Sequence, residues 1–200
     1  MISIYNIKPK FQQFLLPVLQ VLHKRGVTAN QITIASLILS LLIGVLFWLA
    51  ADYPVLFLAL PIGLFIRMAL NALDGMMART YSQQSKGGEV LNELGDVVSD
   101  LFIYFPLLRF EGADLYWVIA FICFSIVNEF AGILGKAVSG QRRYEGPMGK
   151  SDRAFVMGVY GLLCFFHIGF RPYSGFIFSF LLLLLLISTF TRVKNTLSNQ

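Results

Sequence analysis

Residues 71–100 read NALDGMMARTYSQQSKGGEVLNELGDVVSD and hold five of the eleven acidic side chains of this 200-residue chain. Apolar segments flank the stretch on both sides, and 56% of all residues are hydrophobic while only 14% are charged. An average soluble domain is about 25% charged. A chain of this length cannot bury so many apolar side chains in one core and still present a polar surface to water. The composition indicates an integral membrane protein and excludes a soluble single domain, a disordered chain and a coiled coil.

Six segments are apolar over about the 20 residues that a helix needs to cross a bilayer. The predicted spans cover residues 31–50, 54–77, 88–108, 115–138, 154–170 and 173–191. The third crosses the acidic stretch and is apolar only in its second half. Cys123 and Cys164 lie in apolar segments, which indicates small core residues and not a disulfide or metal cluster. The predicted fold class is all-α, a polytopic membrane protein with about six transmembrane helices in residues 31–192 and a short tail at 193–200.

The N-terminal part, residues 1–30, has a different pattern. Its apolar side chains recur at helical spacing, and polar side chains fill much of the other side. The apolar positions are Phe11, Leu15, Val18, Leu19 and Leu22. This pattern predicts an interfacial amphipathic helix over residues 8–25, followed by a connecting segment. The alternative is a short buried helix that would be the seventh of the bundle.

The distribution of Lys and Arg predicts the orientation. Six spans place both termini on one side, and that side then carries 14 of the 16 basic residues. Only Arg109 and Arg171 lie on the other side. The positive-inside rule therefore predicts cytoplasmic termini and a bacterial inner-membrane location. This charge requires no nucleic-acid partner, although anionic lipid or phosphate ligands could use it.

The polar side chains of residues 71–100 fall on one face of each of two neighbouring helices, because they repeat at three- and four-residue intervals. The faces consist of Asn71, Asp74 and Ala78 on the first helix and of Asn92, Asp96 and Asp100 on the second. Carboxylates gathered in a medium of low dielectric repel one another unless a cation compensates them. Oxygen ligands favour a hard ion such as Mg²⁺, Mn²⁺ or Ca²⁺. Alternatively, the acids only form ion pairs with Arg67, Arg79 and Lys86.

The same stretch resembles the signature of the CDP-alcohol phosphatidyltransferases. The matching pattern is Asp74-Gly75-x-x-Ala78-Arg79, eight residues, Gly88, three residues, position 92, three residues and Asp96. The resemblance implies transfer of a phosphatidyl or related phosphoalcohol group from a CDP-linked donor, such as CDP-diacylglycerol, to an alcohol acceptor. CMP is released, and the product is a phospholipid. It further implies a membrane-lipid environment, Mg²⁺ or Mn²⁺ as cofactor, and a homodimer.

The resemblance also implies site residues. The metal ligands would be Asp74, Asp96, Asn71 and Asn92, with Asp100 one turn further along as an additional carboxylate, and Asp96 would also be the catalytic base. Nucleotide-binding positions would be Gly75, Ala78, Arg79, Gly88, Asn30 and Thr33. Acceptor- or phosphate-binding positions would be Lys150, Arg153, Arg142 and Arg143. Helix capping by Asn30 and a simple positive-inside bias of the basic loop are the alternatives for the last two groups.

Two positions depart from the family pattern, which has Asp where this chain has Asn71 and Asn92. The amide oxygen of Asn can ligate a hard cation, but it carries no charge. The site then holds one metal, or two metals with Glu93 or Asp100 as substitutes, or it has lost catalysis and binds only lipid or nucleotide. A cation or phosphate transporter is a further alternative. It is less favoured because the acids lie at one end of the spans, whereas transporters bind near the midplane.

Overall fold

The protein is described by a computed structural model that covers residues 8–111 and 114–198. This part of the chain is helical and contains no strand, as the predicted all-α class requires. The helices are α1 (Lys8–Lys24), α2 (Ala29–Leu49), α3 (Ala59–Thr80), α4 (Lys86–Tyr104), α5 (Leu107–Phe110), α6 (Leu115–Ser139), α7 (Lys150–Phe165) and α8 (Ser174–Leu197), with short 3₁₀ helices at Pro54–Leu58 and Arg171–Tyr173. The ends of the predicted N-terminal segment and tail, residues 1–7 and 199–200, lie outside the described residues.

Four of the described segments are long and apolar enough to cross a membrane. They are Ala29–Leu49, Pro54–Thr80, Leu115–Ser139 and Arg171–Leu197. The other two predicted spans correspond to α4, which has 19 residues and five charged side chains, and to α7, which has 16 residues. Both helices are present, but their crossing of the bilayer, and hence the count of six spans, stays a prediction.

Two predicted spans end earlier than expected. Helix α4 stops at Tyr104 because Pro106 has no N–H to continue the ladder. Helix α7 stops at Phe165, and His167 then adopts a positive φ of 53°. Both cysteines are free, as predicted, and Cys164 is buried. The prediction that Cys123 is a core residue is wrong, since its side chain is exposed on α6.

The bundle is held together by close helix contacts, of α2 with α3 and α4, of α3 with α7, and of α6 with α8. Helices α2 and α4 meet backbone to backbone at Gly44. A Cβ atom at this position would lie 2.2 Å from the carbonyl oxygen of Phe102. Glycine is therefore required for this approach. Apolar side chains such as Phe47, Leu107 and Phe121 fill the interior around it.

Helix α1 lies against α3 through one apolar stripe. Leu15 and Leu19 are buried beside Met77 of α3, whereas Phe14 is 76% exposed. At the end of α1 the His23 ring stacks on Tyr81 with a centroid distance of 3.5 Å. A one-sided helix is thus present where the periodicity predicts it, and its position in a membrane interface stays a prediction.

One end of the bundle gathers the functional segments. Helices α2, α4 and α7 begin there, and α3, α6 and α8 end there. The backbone N–H of Ala29 at the start of α2 donates to Gln83 Oε1 in the α3–α4 loop at 2.8 Å. Lys150 at the start of α7 contacts Asp96 of α4, and Arg192 near the end of α8 donates to the carbonyl oxygen of Glu145. The two halves of the sequence motif therefore lie side by side at this end.

Candidate active site

A cavity of about 510 Å³ lies between the beginning of α2, the end of α3 and the beginning of α4. Seven of the predicted site residues line it, namely Asn30, Thr33, Asp74, Gly75, Ala78, Gly88 and Asn92. These positions come from three different helices. The structure thus brings most of the predicted nucleotide-binding residues and two predicted metal ligands to one polar cavity.

Local capping shapes the α2 wall of the cavity. Thr28 Oγ1 accepts from the backbone N–H of Gln31 at 3.3 Å, and Gln31 Oε1 accepts from the N–H of Thr28 at 2.9 Å. This reciprocal pair is a capping box, so Asn30 is not the helix cap. Its side chain faces Gly88 instead, where a Cβ atom would lie 2.6 Å from Asn30 Oδ1. The absence of a side chain at Gly88 keeps the Asn30 amide in the cavity wall.

Hydroxyl groups of α2 hold the polar face of α3. Thr33 Oγ1 lies 3.1 Å from Asp74 Oδ2 and donates to it, and Asp74 is 6% exposed. One turn earlier on α3, Asn71 Oδ1 accepts from Ser36 Oγ at 2.7 Å. Ser36 is absent from the predicted site residues. Its three-residue spacing from Thr33, within an otherwise apolar helix, is the signal that identifies it.

Asp96 does not line this cavity; it lies one turn beyond the cavity-lining Asn92 on α4 and is 8% exposed. Its carboxylate contacts Lys150 Nζ, and Arg67 Nη2 lies 3.9 Å from its Oδ1 atom. The predicted base and one predicted acceptor-side cation, Lys150, are therefore direct neighbours.

Asp100 and Arg153 bind each other. Arg153 Nη2 lies 2.7 Å from Asp100 Oδ2 and 2.8 Å from Glu129 Oε1. The second oxygen of Asp100 accepts from Arg67 Nη1 at 2.9 Å. Arg153 is fully buried and Asp100 is 4% exposed. In this arrangement both carboxylate oxygens of Asp100 are occupied by guanidinium groups.

These pairs belong to a larger set that we name the buried charge cluster. It consists of Arg67, Glu93, Asp96, Asp100, Glu129, Arg142, Lys150 and Arg153. Arg142 joins it through Glu93 at 2.8 Å and Glu129 at 2.9 Å. Burial alone would lower the pKa of the Arg142 guanidinium, but the carboxylates of Glu93 and Glu129 hold that pKa above its usual range. The cluster joins α3, α4, α6 and α7.

Two further predicted residues, Arg143 and Arg79, do not line the 510 Å³ cavity. Arg143 is 3.3 Å from Ser139 Oγ and 3.5 Å from a carboxylate oxygen of Glu145. Arg79 lines a separate groove of about 360 Å³ between α1 and α3, away from the 510 Å³ cavity. Its guanidinium group nevertheless lies close to Gly75, since a Cβ atom on Gly75 would be 3.1 Å from Arg79 Nη1.

The alternative of simple ion pairing accounts for some of the acids and not for others. Arg67 does pair with Asp100 and Asp96. Asp74 instead accepts a hydrogen bond from a threonine hydroxyl and faces the cavity. Lys136 of α6, which the motif does not include, contacts Glu89, and both line the cavity.

The donor set suits a hard divalent cation. No group of three or more His, Cys, Asp or Glu side chains that could hold a metal occurs within residues 8–111 and 114–198. The candidate ligands are two carboxylates, Asp74 and Asp96, together with the amide oxygens of Asn71 and Asn92. Mg²⁺ is commonly held by one or two carboxylates with substrate phosphates and water completing its shell. The residues therefore fit a metal that is bound together with a phosphate-bearing substrate.

The fold and this cavity define a helical membrane protein whose acidic motif faces a polar pocket at one end of the bundle. Residues 26–192 match the family model described as CDP-alcohol phosphatidyltransferase. The chain belongs to this family of transferases.

Two curated relatives are similar in sequence. The chain is 46% identical over 195 residues to "Inner membrane protein YnbA" of Escherichia coli (strain K12), and the match covers 98% of this chain and 96% of the relative. It is 33% identical over 117 residues to "Archaetidylinositol phosphate synthase" of Pyrococcus horikoshii, covering 58% of each chain. The protein is thus a membrane protein related to one named for the inner membrane.

Solved structures support the fold. The phosphatidylinositol phosphate synthase PgsA1 of Mycobacterium tuberculosis, solved with manganese and citrate, superposes with a TM-score of 0.73 at 20% identity, covering 91% of this chain and 88% of that one. The same enzyme with CDP-DAG bound gives a TM-score of 0.72 and covers 90% and 92%. The helical architecture is therefore one that a phospholipid-synthesising enzyme uses.

Proposed function

We propose that the protein transfers a phosphatidyl or related phosphoalcohol group from a CDP-linked lipid, such as CDP-diacylglycerol, to an alcohol and releases CMP. The observation that carries this proposal is the convergence of Asp74, Asn92, Gly88 and Asn30 on one cavity. Asp96 lies one helical turn beyond the cavity-lining Asn92 on α4. The binding of CDP-DAG by the structurally similar M. tuberculosis enzyme supports a CDP-lipid donor.

The reaction is a phosphoryl-group transfer. The acceptor hydroxyl oxygen attacks the β-phosphorus of the CDP-lipid and forms the new P–O bond. The bond from that phosphorus to the oxygen bridging to the α-phosphate breaks, and CMP leaves with the bonding electrons. Asp96 accepts the hydroxyl proton as it orients the attacking oxygen. Lys150 and Arg67 hold the Asp96 carboxylate in place.

Asp74 and Asp96, with the amide oxygens of Asn71 and Asn92, would hold Mg²⁺ or Mn²⁺. A divalent ion supplies neutralisation and alignment of the diphosphate, which is most of what phosphoryl transfer requires. Thr33 orients Asp74 by donating to Oδ2, and this leaves the other oxygen for ligation.

The nucleotide would occupy the cavity itself. Gly75, Ala78 and Gly88 leave room for its close approach, and the Asn30 amide can donate to or accept from the base or ribose. Lys86 and Lys136 also line this cavity. The charge of Lys86 is suited to phosphate oxygens, whereas Lys136 contacts Glu89.

A second candidate function is CDP-lipid or phospholipid binding without turnover. Asn71 and Asn92 favour it, because each supplies an oxygen ligand without the charge that an aspartate would bring. A non-catalytic relative would retain the cavity and lose the reaction.

The test is CMP release by purified protein supplied with CDP-diacylglycerol, Mg²⁺ or Mn²⁺ and a panel of alcohols. We expect release with at least one alcohol and at least a hundredfold loss in Asp96→Asn, in line with the usual contribution of a positioned base. Asp52→Asn is the matched control, since Asp52 is an exposed acid paired with Arg109 outside the site. Nucleotide-lipid binding with no CMP release for any alcohol would establish the non-catalytic alternative.

The setting that we propose is a bacterial inner membrane with six spans, both termini in the cytoplasm and α1 in the interface. The cavity then opens at the cytoplasmic surface, where a soluble acceptor and CMP can exchange. A homodimer is a further part of this proposal.

A further inference from the structure

We infer that the acceptor is an alcohol that carries no phosphate group, such as an uncharged polyol or a zwitterion. This inference rests on the proposed transferase function and concerns the acceptor side of the site around Asp96. The cations around Asp96 already form ion pairs with carboxylates of the same chain, and these pairs are the basis of the inference.

Arg153 is the most completely occupied of these cations. Its Nη2 atom binds Asp100 and Glu129, its Nη1 atom donates to the carbonyl oxygen of Met148 at 3.1 Å, and its Nε atom lies 3.4 Å from Tyr104 Oη. All three guanidinium nitrogens therefore have protein partners. The side chain is fully buried, so a phosphate could reach it only by displacing one of its carboxylates.

The other cations of the buried charge cluster are paired as well. Arg142 lies between Glu93 and Glu129, Arg67 binds Asp100, and Lys150 contacts Asp96. The cluster contains four cations and four carboxylates, so its formal charge is zero. The positive charge that recognises a phosphomonoester is already neutralised within the protein.

A phosphomonoester carries about −1.5 to −2 charges at pH 7. Placed beside Asp96, it would add this charge to a neutral, buried set of groups and would separate pairs whose members are costly to leave uncompensated. A hydroxyl group brings no such penalty.

Nearby cations outside the cluster also have protein contacts, and Arg143 lies 3.5 Å from a carboxylate oxygen of Glu145. Arg192 is 2% exposed, and its Nε and Nη1 atoms donate to the backbone carbonyls of Glu145 at 3.2 Å and Asn128 at 2.6 Å. Lys86 and Lys136 line the nucleotide cavity, where Lys136 contacts Glu89 and the charge of Lys86 is suited to the donor diphosphate.

The first experiment compares matched acceptors in the CMP-release assay with wild-type protein, CDP-diacylglycerol and Mn²⁺. The pairs are glycerol with glycerol 3-phosphate and inositol with inositol 1-phosphate, and serine serves as a zwitterionic acceptor. We expect every active acceptor to lack phosphate, with the phosphorylated member of its pair at least tenfold less active. Faster release with a phosphorylated member would overturn the inference and leave the transferase function intact.

The second experiment measures binding, so that it decides the inference even when no acceptor supports turnover. Glycerol 3-phosphate is titrated into the purified full chain loaded with CDP-diacylglycerol and Mn²⁺, with calorimetric detection. We expect no saturable binding to wild type at millimolar concentrations. Saturable submillimolar binding to wild type would contradict the inference, whatever the activity assay shows.

Two variants test whether the carboxylates paired with Arg142 and Arg153 are what excludes a phosphorylated acceptor. Glu129→Gln releases one carboxylate from Arg153 and Arg142, and Glu93→Gln releases one from Arg142. We expect glycerol 3-phosphate affinity to rise at least tenfold in each variant that folds, as judged by its elution as a single species in detergent. Asp52→Asn, which removes a distant carboxylate, is the control and should leave binding unchanged. Folded Glu93→Gln protein with unchanged affinity would show that the internal carboxylates do not exclude phosphate.

Discussion

At the scale of single residues, Asn71 and Asn92 set the electrostatics of the proposed metal site. Asn71 uses its amide oxygen to accept from Ser36 at 2.7 Å, a bond that a carboxylate could accept equally well. Asn92 lines the cavity. Each position can therefore take Asp without losing its present contacts, and the added charge would face the same polar space.

We predict that Asn71→Asp and Asn92→Asp strengthen Mn²⁺ binding, each by about tenfold, because an added carboxylate nearby contributes about 1.4 kcal/mol at an intermediate effective dielectric. Mn²⁺ titration followed by electron paramagnetic resonance measures the change. Gln20→Glu on the exposed side of α1 adds the same charge elsewhere and should have no effect. Weaker binding in both site variants would show that the ligands are placed wrongly.

Gly88 offers a second test at this scale, with its neighbour Gly87 as an internal control. We predict that Gly88→Ala weakens CMP binding at least tenfold, since a Cβ atom 2.6 Å from Asn30 Oδ1 must push the amide from the cavity wall. Gly87→Ala meets nothing within 4 Å and should bind normally. Calorimetric titration of CMP compares the two, and equal affinities would remove Asn30 from the nucleotide site.

The cavity residues could be predicted from the sequence because they belong to a fixed motif. Asp74, Gly75, Ala78 and Gly88 need only two helices and one short loop to converge. The internal ion pair of Arg153 could not be predicted, because its carboxylate partner Asp100 lies 53 positions away in the sequence. A basic residue near the start of a helix looks the same in a sequence whether it binds a ligand or already has an internal partner.

At the scale of secondary-structure elements, Arg153 joins three helices through Asp100 of α4, Glu129 of α6 and its own position on α7. The boundaries of these helices are only partly readable from hydropathy. Helix α4 begins with charged residues that a hydropathy window penalises, and the helix ends depend on local features such as Pro106 and the positive φ of His167.

We predict that Arg153→Met destabilises the protein by about 3–5 kcal/mol, because two buried carboxylates, Asp100 and Glu129, each lose one of their two guanidinium partners. Arg109→Met should cost less than about 1 kcal/mol, since the Arg109–Asp52 pair is largely exposed to solvent. Reversible unfolding in mixed detergent micelles, followed by circular dichroism, gives both values. Comparable losses in the two variants would mean that the buried charge cluster does not hold α4, α6 and α7 together.

At the scale of the whole molecule, composition alone established a membrane protein, and the even distribution of apolar segments predicted its helical bundle. Four helices satisfy the length and hydropathy needed to span. Helix α4 falls short because it carries charges of the site at the end where it begins, and helix α7 falls short because it has only 16 residues. The prediction that they cross the bilayer is supported by their packing beside α2 and α3, which a hydropathy profile does not contain.

We predict six spans, with Ser82 on the cytoplasmic face and with Phe105 and Ile168 on the opposite face. Each is replaced by Cys in a background in which Cys123 and Cys164 are Ala, and intact cells are treated with a membrane-impermeant maleimide. Phe105→Cys and Ile168→Cys should be labelled directly, and Ser82→Cys only after the inner face is exposed. Protection of both predicted outer positions would reduce the protein to four spans.

The glycine contact between α2 and α4 has a mechanical consequence. At Gly44 the two helices touch through their backbones. Helices α2 and α4 therefore cannot separate or slide past each other without breaking close packing. In the proposed reaction, product departure and substrate exchange then have to occur at the cavity end of these helices without their separation. There, Gln83 Oε1 in the loop of residues 81–85 accepts from the backbone N–H of Ala29 at the start of α2. For the proposed reaction, movement of this loop, and not separation of α2 from α4, is the rearrangement that the close contact at Gly44 leaves open.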